Sequence, residues 1–247
     1  MISLFSLFTF APKTNEELKE AVRVYCNHRH LGKLRYGPIG TWDVSRITDM
    51  SNLFHSQVMF NENINNWDVS NVTCMSGMFM YAISFNQPLD KWNTSNVRDM
   101  SFMFMHTLPF DQSLNNWNVS NVTNMRGMFA GSRYNQPLDT WDVSKVTTMK
   151  RMFCQTYFNQ PLDNWDVSNV TTMEEMFLFA INFNQPLDNW DVQNVVNMSG
   201  MFFDCSNMTH PVDHWYTPNL MTPLLMFARN SPLKPPLQQP QLTYILK

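Results

Sequence analysis

Trp42, Trp67, Trp92, Trp117, Trp141, Trp165, Trp190 and Trp215 are all the tryptophans of this 247-residue chain, and they fall on one ladder with steps of 24 or 25 residues. So large a side chain returning at a fixed interval marks an array of repeats, because each copy must match its neighbours to bury it. With each Trp as position zero, further fixed columns appear. Position +2 is Val or Thr from Val44 to Thr217, and position +5 is aliphatic from Ile47 to Leu220. Position +8 is Met from Met50 to Met198 and breaks at Pro223, while position +12 is Phe from Phe54 to Phe227. A drifting stretch then leads to a second aromatic or Met (Phe60 to Met208) and to an aliphatic residue three before the next Trp (Ile64 to Val212). The two 24-residue copies shorten only the drifting stretch, where "AGSR" and "CQTY" replace five-residue stretches such as "HSQVM". Deletions collect where backbone runs over a surface.

These spacings set the fold expectation: a repeat solenoid of about eight coils. Leu, Trp and Val at intervals of three and two suit one short strand per coil, laid parallel on its neighbours. The following "TxMxxMF", with apolar residues three and four apart, suits a helical or 3₁₀ turn. Pro in "NQP" marks a turn or strand entry. Ahead of the first Trp, Thr14 with Glu17 forms a capping box, and Leu18, Ala21, Val22 and Tyr25 share one face of a capping helix. The expected organisation is an N-terminal flap and capping helix over residues 1–41, repeats over 42–230 and a Pro-rich tail over 231–247 that lies extended on the last coil.

Composition narrows the function. The chain is 14% aromatic, so it has a packed core, and its net charge of −3 comes without a basic cluster, which argues against a nucleic-acid partner. The apolar N-terminus "MISLFSLFTFAPK" is too short to span a bilayer and reads as a strand or flap over the first coil, with a degenerate targeting signal as the alternative. Cys26, Cys74, Cys154 and Cys205 share no CxxC spacing, so they read as free thiols, mostly buried, and not as a zinc site. The six histidines are scattered, and no cofactor is implied.

Several residue sets could carry chemistry. The Trp ladder could be a stacking platform, but exposing eight indoles would forfeit the burial of about 150 to 250 Å² each, so core is the reading. Position +1 is Asp or Asn, including Asp43, Asp68, Asp142, Asp166 and Asp191. Such a column caps turns unaided, or holds a cation between coils. Asp163 and Asp166 flank Trp165 like a glycosidase pair, yet the pair recurs in other copies, whereas an active site is singular. Asn at +4 and +19 reads as ladders that satisfy backbone groups at the corners.

"WDVSNVTNMRGMF" (Trp117 to Phe129) and "FNQPLDNWDVSNVT" (from Phe158) resemble the mycoplasma-type lipoprotein repeat of unknown function. That family is a relative of BspA-like leucine-rich-repeat surface proteins, also encoded by large DNA viruses. The resemblance spans about Trp42 to Phe227. It implies a right-handed, leucine-rich-repeat-like solenoid used for binding, without catalysis. No lipid-attachment cysteine stands near the start, so an intracellular or virion-associated setting is expected, with a cell surface as the alternative.

The functional expectation is therefore a non-enzymatic module that binds a protein partner or serves a structural role, in an oligomeric state the residues leave open. Variation collects at +9, +10 and +13 to +17, where Arg126, Lys150, Arg151, Glu174 and Glu175 change the sign of charge along the array and mark a candidate binding face. The alternative is a cation- or glycan-binding surface adhesin that uses the Asp and Asn columns.

Overall fold

The structure, a computed structural model, describes residues 9–221 together with Met226, Phe227 and Leu233. The tail 231–247 lies outside the described residues apart from Leu233, which packs on the core, and so does the N-terminal stretch 1–8.

Helix α1 (Asn15–Asn27) and helix α2 (Arg29–Tyr36) precede the repeats, followed by a 3₁₀ turn at Ile39–Thr41. Thr14 caps α1 by accepting from the Glu17 amide at 3.1 Å. Leu18, Ala21, Val22 and Tyr25 are buried against the first repeat. Asn15 closes the end of the array: its Oδ1 accepts from the amides of Thr48 and Asp49, both at 3.3 Å, where an earlier repeat would otherwise sit. Phe10 completes the cover, its carbonyl accepting from the Asp43 amide and its ring 5.0 Å from Trp42.

The leucine-rich-repeat-like solenoid expected from the sequence, with a β-strand and a helical turn in each coil, is overturned. Among the described residues there is no β-strand, and the only helices are α1, α2 and the 3₁₀ turn, all ahead of Trp42. Successive repeats do lie parallel, joined by one isolated bridge per step through position +7: Asp49 to Cys74, Cys74 to Asp99, and onward to Asn197. The Leu-Trp-Val stretch cannot pair as a strand because it is spent on turns. Each Trp amide donates back to the carbonyl three residues earlier, as Trp117 does to Leu114 at 3.0 Å, and Val122 does the same to Val119 at 2.8 Å.

The expected helical turn fails for a different reason. From +11 to +15 the odd-numbered amides do fold back by three residues, as in Met78 to Met75, Met80 to Gly77 and Ala82 to Phe79. The residues at +10 and +14, however, hold positive φ in repeat after repeat: Asn52, Gly77, Phe102, Gly127, Arg151, Glu175 and Gly200 at +10, and Ser56 through Asp204 at +14. A left-handed residue every fourth position breaks any helix. It also turns the even-numbered amides out of the repeat. Those at +8, +10, +12 and +14 donate to carbonyls of the next repeat, as Met75, Gly77, Phe79 and Tyr81 do to Asp99, Ser101, Met103 and Met105 at 2.7 to 2.9 Å. Every such buried amide is thus satisfied without a strand.

Aromatic columns fill the interior. Phe54, Phe79, Phe104, Phe129, Phe153, Phe177, Phe202 and Phe227 stack ring on ring at 5.4 to 5.8 Å. The eight Trp side chains are 2 to 4% exposed, so the ladder is core and not a platform. Seven of them are also stapled: the indole Nε1 of Trp67 donates to Ile39 O at 2.8 Å, and each later Trp repeats this one step on.

Candidate functional site

The drifting segment is the part of each repeat that reaches solvent with side chains of its own choosing. Its residues at +14 and +16 point outward because the left-handed turn at +14 and the buried residue at +15 leave no inward room for them. In the +16 column Val58, Ile83, Leu108, Tyr157 and Ile181 are each 45 to 48% exposed, and Arg133 occupies the same column between Leu108 and Tyr157. Tyr81 and Phe179 add exposed rings at +14. Tyr81 stacks on His106 of the next repeat at 4.8 Å, and the Arg133 guanidinium lies 5.9 Å over the Tyr157 ring. An apolar row crossing successive repeats is thereby held in solvent, a costly display for a side-chain set free to vary.

The charged residues marked by the sequence sit beside this row at +9 and +10, and the structure pairs them. Lys150 Nζ meets Glu174 Oε2 at 2.7 Å, and the Arg151 guanidinium bonds the Glu175 carboxylate. The sign change along the array is therefore a contact between adjacent repeats. Arg151 is held further toward its charged form by that bond to Glu175. Arg126 is different: its guanidinium lies 5.2 Å over the Phe102 ring of the preceding repeat. Phe102 in turn lies across Gly127, where an added Cβ would approach Phe102 Cδ1 to 2.6 Å.

Asp43, Asp68, Asp142, Asp166 and Asp191 all serve turns. Each accepts through Oδ1 from the amide two residues on, at 3.0 to 3.1 Å, the partners being Ser45, Ser70, Ser144, Ser168 and Gln193. The hydroxyl and amide of Ser45 hold the Asp43 carboxyl below its usual range, and Ser144 does the same for Asp142. Asp163 and Asp166 line an open surface cleft of about 350 Å³ with Asn189 and Asp191. Asp163 there accepts from the Asn189 amide at 3.0 Å, so both carboxylates of the pair are occupied. Among the described residues no group of three or more His, Cys, Asp or Glu side chains is placed to hold a metal ion.

The Asn columns form ladders. Asn at +4 donates to the preceding repeat's carbonyl, as Asn96 does to Ser70 at 2.7 Å. At +19, or +18 in the two shortened repeats, the side-chain oxygen accepts from the next repeat's amide, as Asn135 does from Asn159 at 2.8 Å. All four cysteines are free. Burial pushes Cys26 and Cys205 up to about 12 and Cys154 to about 11, which leaves poor nucleophiles at neutral pH. Cys26 lines a cavity of about 90 Å³ between α1 and the first repeat, with Arg29 and Glu62 at its mouth.

Sequence reasoning missed the apolar +16 column and the two left-handed columns. All three columns lie within +9, +10 and +13 to +17, the variable positions already marked as the candidate binding face.

Residues 24–135, and again residues 130–239, match the model of the family described as Mycoplasma protein of unknown function, DUF285. The chain belongs to that family. Each match takes in four of the eight Trp residues. No match was found among curated proteins or among solved structures. Among the described residues no helix is long and apolar enough to cross a membrane.

Proposed function

We propose that this member of the family is a non-enzymatic protein-binding module whose contact surface is the outward face of the drifting segments. One observation carries the reading: the +16 column keeps Val58, Ile83, Leu108, Tyr157 and Ile181 about half exposed while the Trp ladder from Trp42 to Trp215 and the Met column from Met50 to Met198 are buried. Exposed apolar residues gathered in a row across a protein surface, here interrupted at Arg133, mark contact sites. Kinship with BspA-like surface repeats, suggested by the motif residues, agrees with a binding role.

Two features weigh against cation or glycan capture by the Asp columns. Their carboxylates are committed to turn amides, and their neighbours at the corner are Asn and Ser that also serve the backbone. The same commitment of Asp163 and Asp166 argues against a hydrolytic pair.

The test compares the parent with a variant carrying Ile83→Ser, Leu108→Ser and Ile181→Ser as baits in a cell extract. A protein retained by the parent and lost by the variant, at unchanged melting temperature, is the expected result. Identical retained sets would remove this face from consideration.

A further inference from the structure

Charge is shared unevenly between the capping end and the repeats. Residues 9–41 carry six Lys or Arg against three Glu, whereas the rest of the chain carries eleven against seventeen Asp or Glu. An anionic partner is therefore repelled along the array and drawn to its capped end. Three of those six cations, Arg29, Lys33 and Arg35, belong to α2, which has no acidic residue. Glu62 of the first repeat bonds the Arg29 guanidinium and lies 4.0 Å from Lys33 Nζ, so one carboxylate answers two cations. The Arg35 guanidinium lies 5.1 Å over the Tyr36 ring, and Glu20 on α1 is taken by Arg23.

The same helix turns apolar side chains outward. α2 rests on α1 through Gly32, where an added Cβ would come within 2.4 Å of the Tyr25 Cα, and Tyr36 is buried beside it. At 3.6 residues per turn that seating leaves Leu31 and Leu34 on the far side, 50% and 68% exposed, with His30 and Lys33 along one edge and Arg35 along the other. A solvated helix keeps charge at its outermost line and apolar residues beneath; here the order is reversed. Apolar residues outermost with cations at the margins suit a helix lying in a lipid interface, where the cations reach the phosphates. A second apolar element joins the chain at this place. The stretch 1–8, "MISLFSLF", has six apolar residues and no charged side chain, and it leads into Phe10, whose ring lies 4.7 Å from that of Tyr36. Eight residues reach at most about 26 to 29 Å, ample to run beside a helix of ~12 Å.

We infer that the capped end of the array docks on an anionic lipid surface, with Leu31 and Leu34 entering the headgroup region and Lys33 and Arg35 meeting lipid phosphates. The stretch 1–8 supplies a second apolar anchor, since stable attachment takes two weak elements together. A soluble polyanion would satisfy the cations but leave Leu31 and Leu34 in water, whereas a bilayer takes up both. The repeats, with their excess of carboxylates, are repelled by the same surface and project from it. None of this rests on the protein-binding reading above.

Co-sedimentation of the full chain with vesicles tests it. One set holds phosphatidylcholine and phosphatidylserine in equal parts, another phosphatidylcholine alone, and heparin beads serve as an anionic surface without acyl chains. The expected result is binding to the mixed vesicles that salt weakens, with little to phosphatidylcholine or to heparin. Lys33→Glu with Arg35→Glu should weaken that binding at least about tenfold, and Leu31→Ser with Leu34→Ser about tenfold, each at the parent's melting temperature. The Leu pair is exposed and carries no charge, so it keeps the test decisive if charge reversal disturbs the fold. Absence of binding to the mixed vesicles, or binding that the Leu pair leaves unchanged, overturns the lipid docking. Equal binding to phosphatidylcholine overturns it too, by placing the contact in apolar residues alone. Capture by heparin as tight as by the mixed vesicles does the same, by making this end a site for an acidic protein or a nucleic acid.

Discussion

The indole nitrogen of Trp165 donates to the carbonyl of Leu138, 27 residues earlier, at 3.0 Å, inside the core. This bond explains why Trp and no other aromatic holds the ladder, since Phe and Tyr carry no N–H at that place. Trp165→Phe should remove one of the two hydrogen bonds that the Leu138 carbonyl accepts, leaving that of the Trp141 amide, and cost about 0.5 to 1.5 kcal/mol in lost hydrogen bonding, read by chemical denaturation. Trp42 supplies the control. It opens the ladder, and its buried Nε1 has no acceptor among the described residues. Trp42→Phe should accordingly cost less than Trp165→Phe, and a larger cost at Trp42 would refute the staple.

Gly131 illustrates the second left-handed column. Its φ is +67°, and an added Cβ would come within 2.2 Å of His106 Nδ1, because the imidazole fills the space over the glycine. Gly131→Ala should destabilise by about 1 to 2 kcal/mol from backbone strain, and further as His106 is driven off its stack with Tyr81. In a His106→Ala background only the strain should remain. Equal costs in both backgrounds, measured by thermal melts, would contradict the packing.

Lys150 and Glu174 form a pair that is about three-quarters shielded, their side chains being 25% and 24% exposed. Reversing Lys150 alone should destabilise the fold, and adding Glu174→Lys should restore it, with a coupling of about 0.5 to 1 kcal/mol that shrinks as salt rises. A coupling indistinguishable from zero at low salt would return these charges to the solvent-facing role first read from the sequence.

Alkaline stability follows from the thiols. Cys205 ionises near 9 in an unfolded chain, whereas desolvation pushes it up to about 12 in the fold. Its contribution is therefore complete below pH 9 and is lost as pH rises from there toward 12. Cys205→Ala should flatten the decline of the denaturation midpoint over that window, and a decline unchanged by the substitution would exclude the thiol as its source.

Much of the interior was legible because it obeys one rule, that a buried residue must match its counterpart one repeat away. Trp165, Phe153 and Met173 announce themselves by recurrence, and Asn96 and Asn135 by the same logic applied to corners. The secondary structure was not legible, because spacing shows which residues point inward but not the sign of φ between them. Gly77, Gly127, Gly131 and Gly200 sit at left-handed positions. They share those columns with Asn52, Phe102, Arg151 and Glu175 at +10, and with Tyr81 and Phe179 at +14, so no glycine column stands out. The available signal was subtler: from Asn52 to Gly200 and from Ser56 to Asp204 neither column holds a β-branched residue or Pro. For the charged candidates, Lys150 and Glu174 share column +9, one step apart, a spacing that already implied contact. Only an eye for exposure could have separated Ile83 from the buried Ala82 beside it.

The amides at +8, +10, +12 and +14 all point toward the following repeat, and the carbonyls between them toward the preceding one. The array is consequently a one-way street for the backbone. A new repeat can be spliced into the middle, since each junction offers the same donors below and the same acceptors above, but one inserted upside down would set donor against donor. Length can thus change by whole units during descent without redesigning any interface. Only neighbours with complementary bulk, such as Phe102 over Gly127, are obliged to travel as a couple.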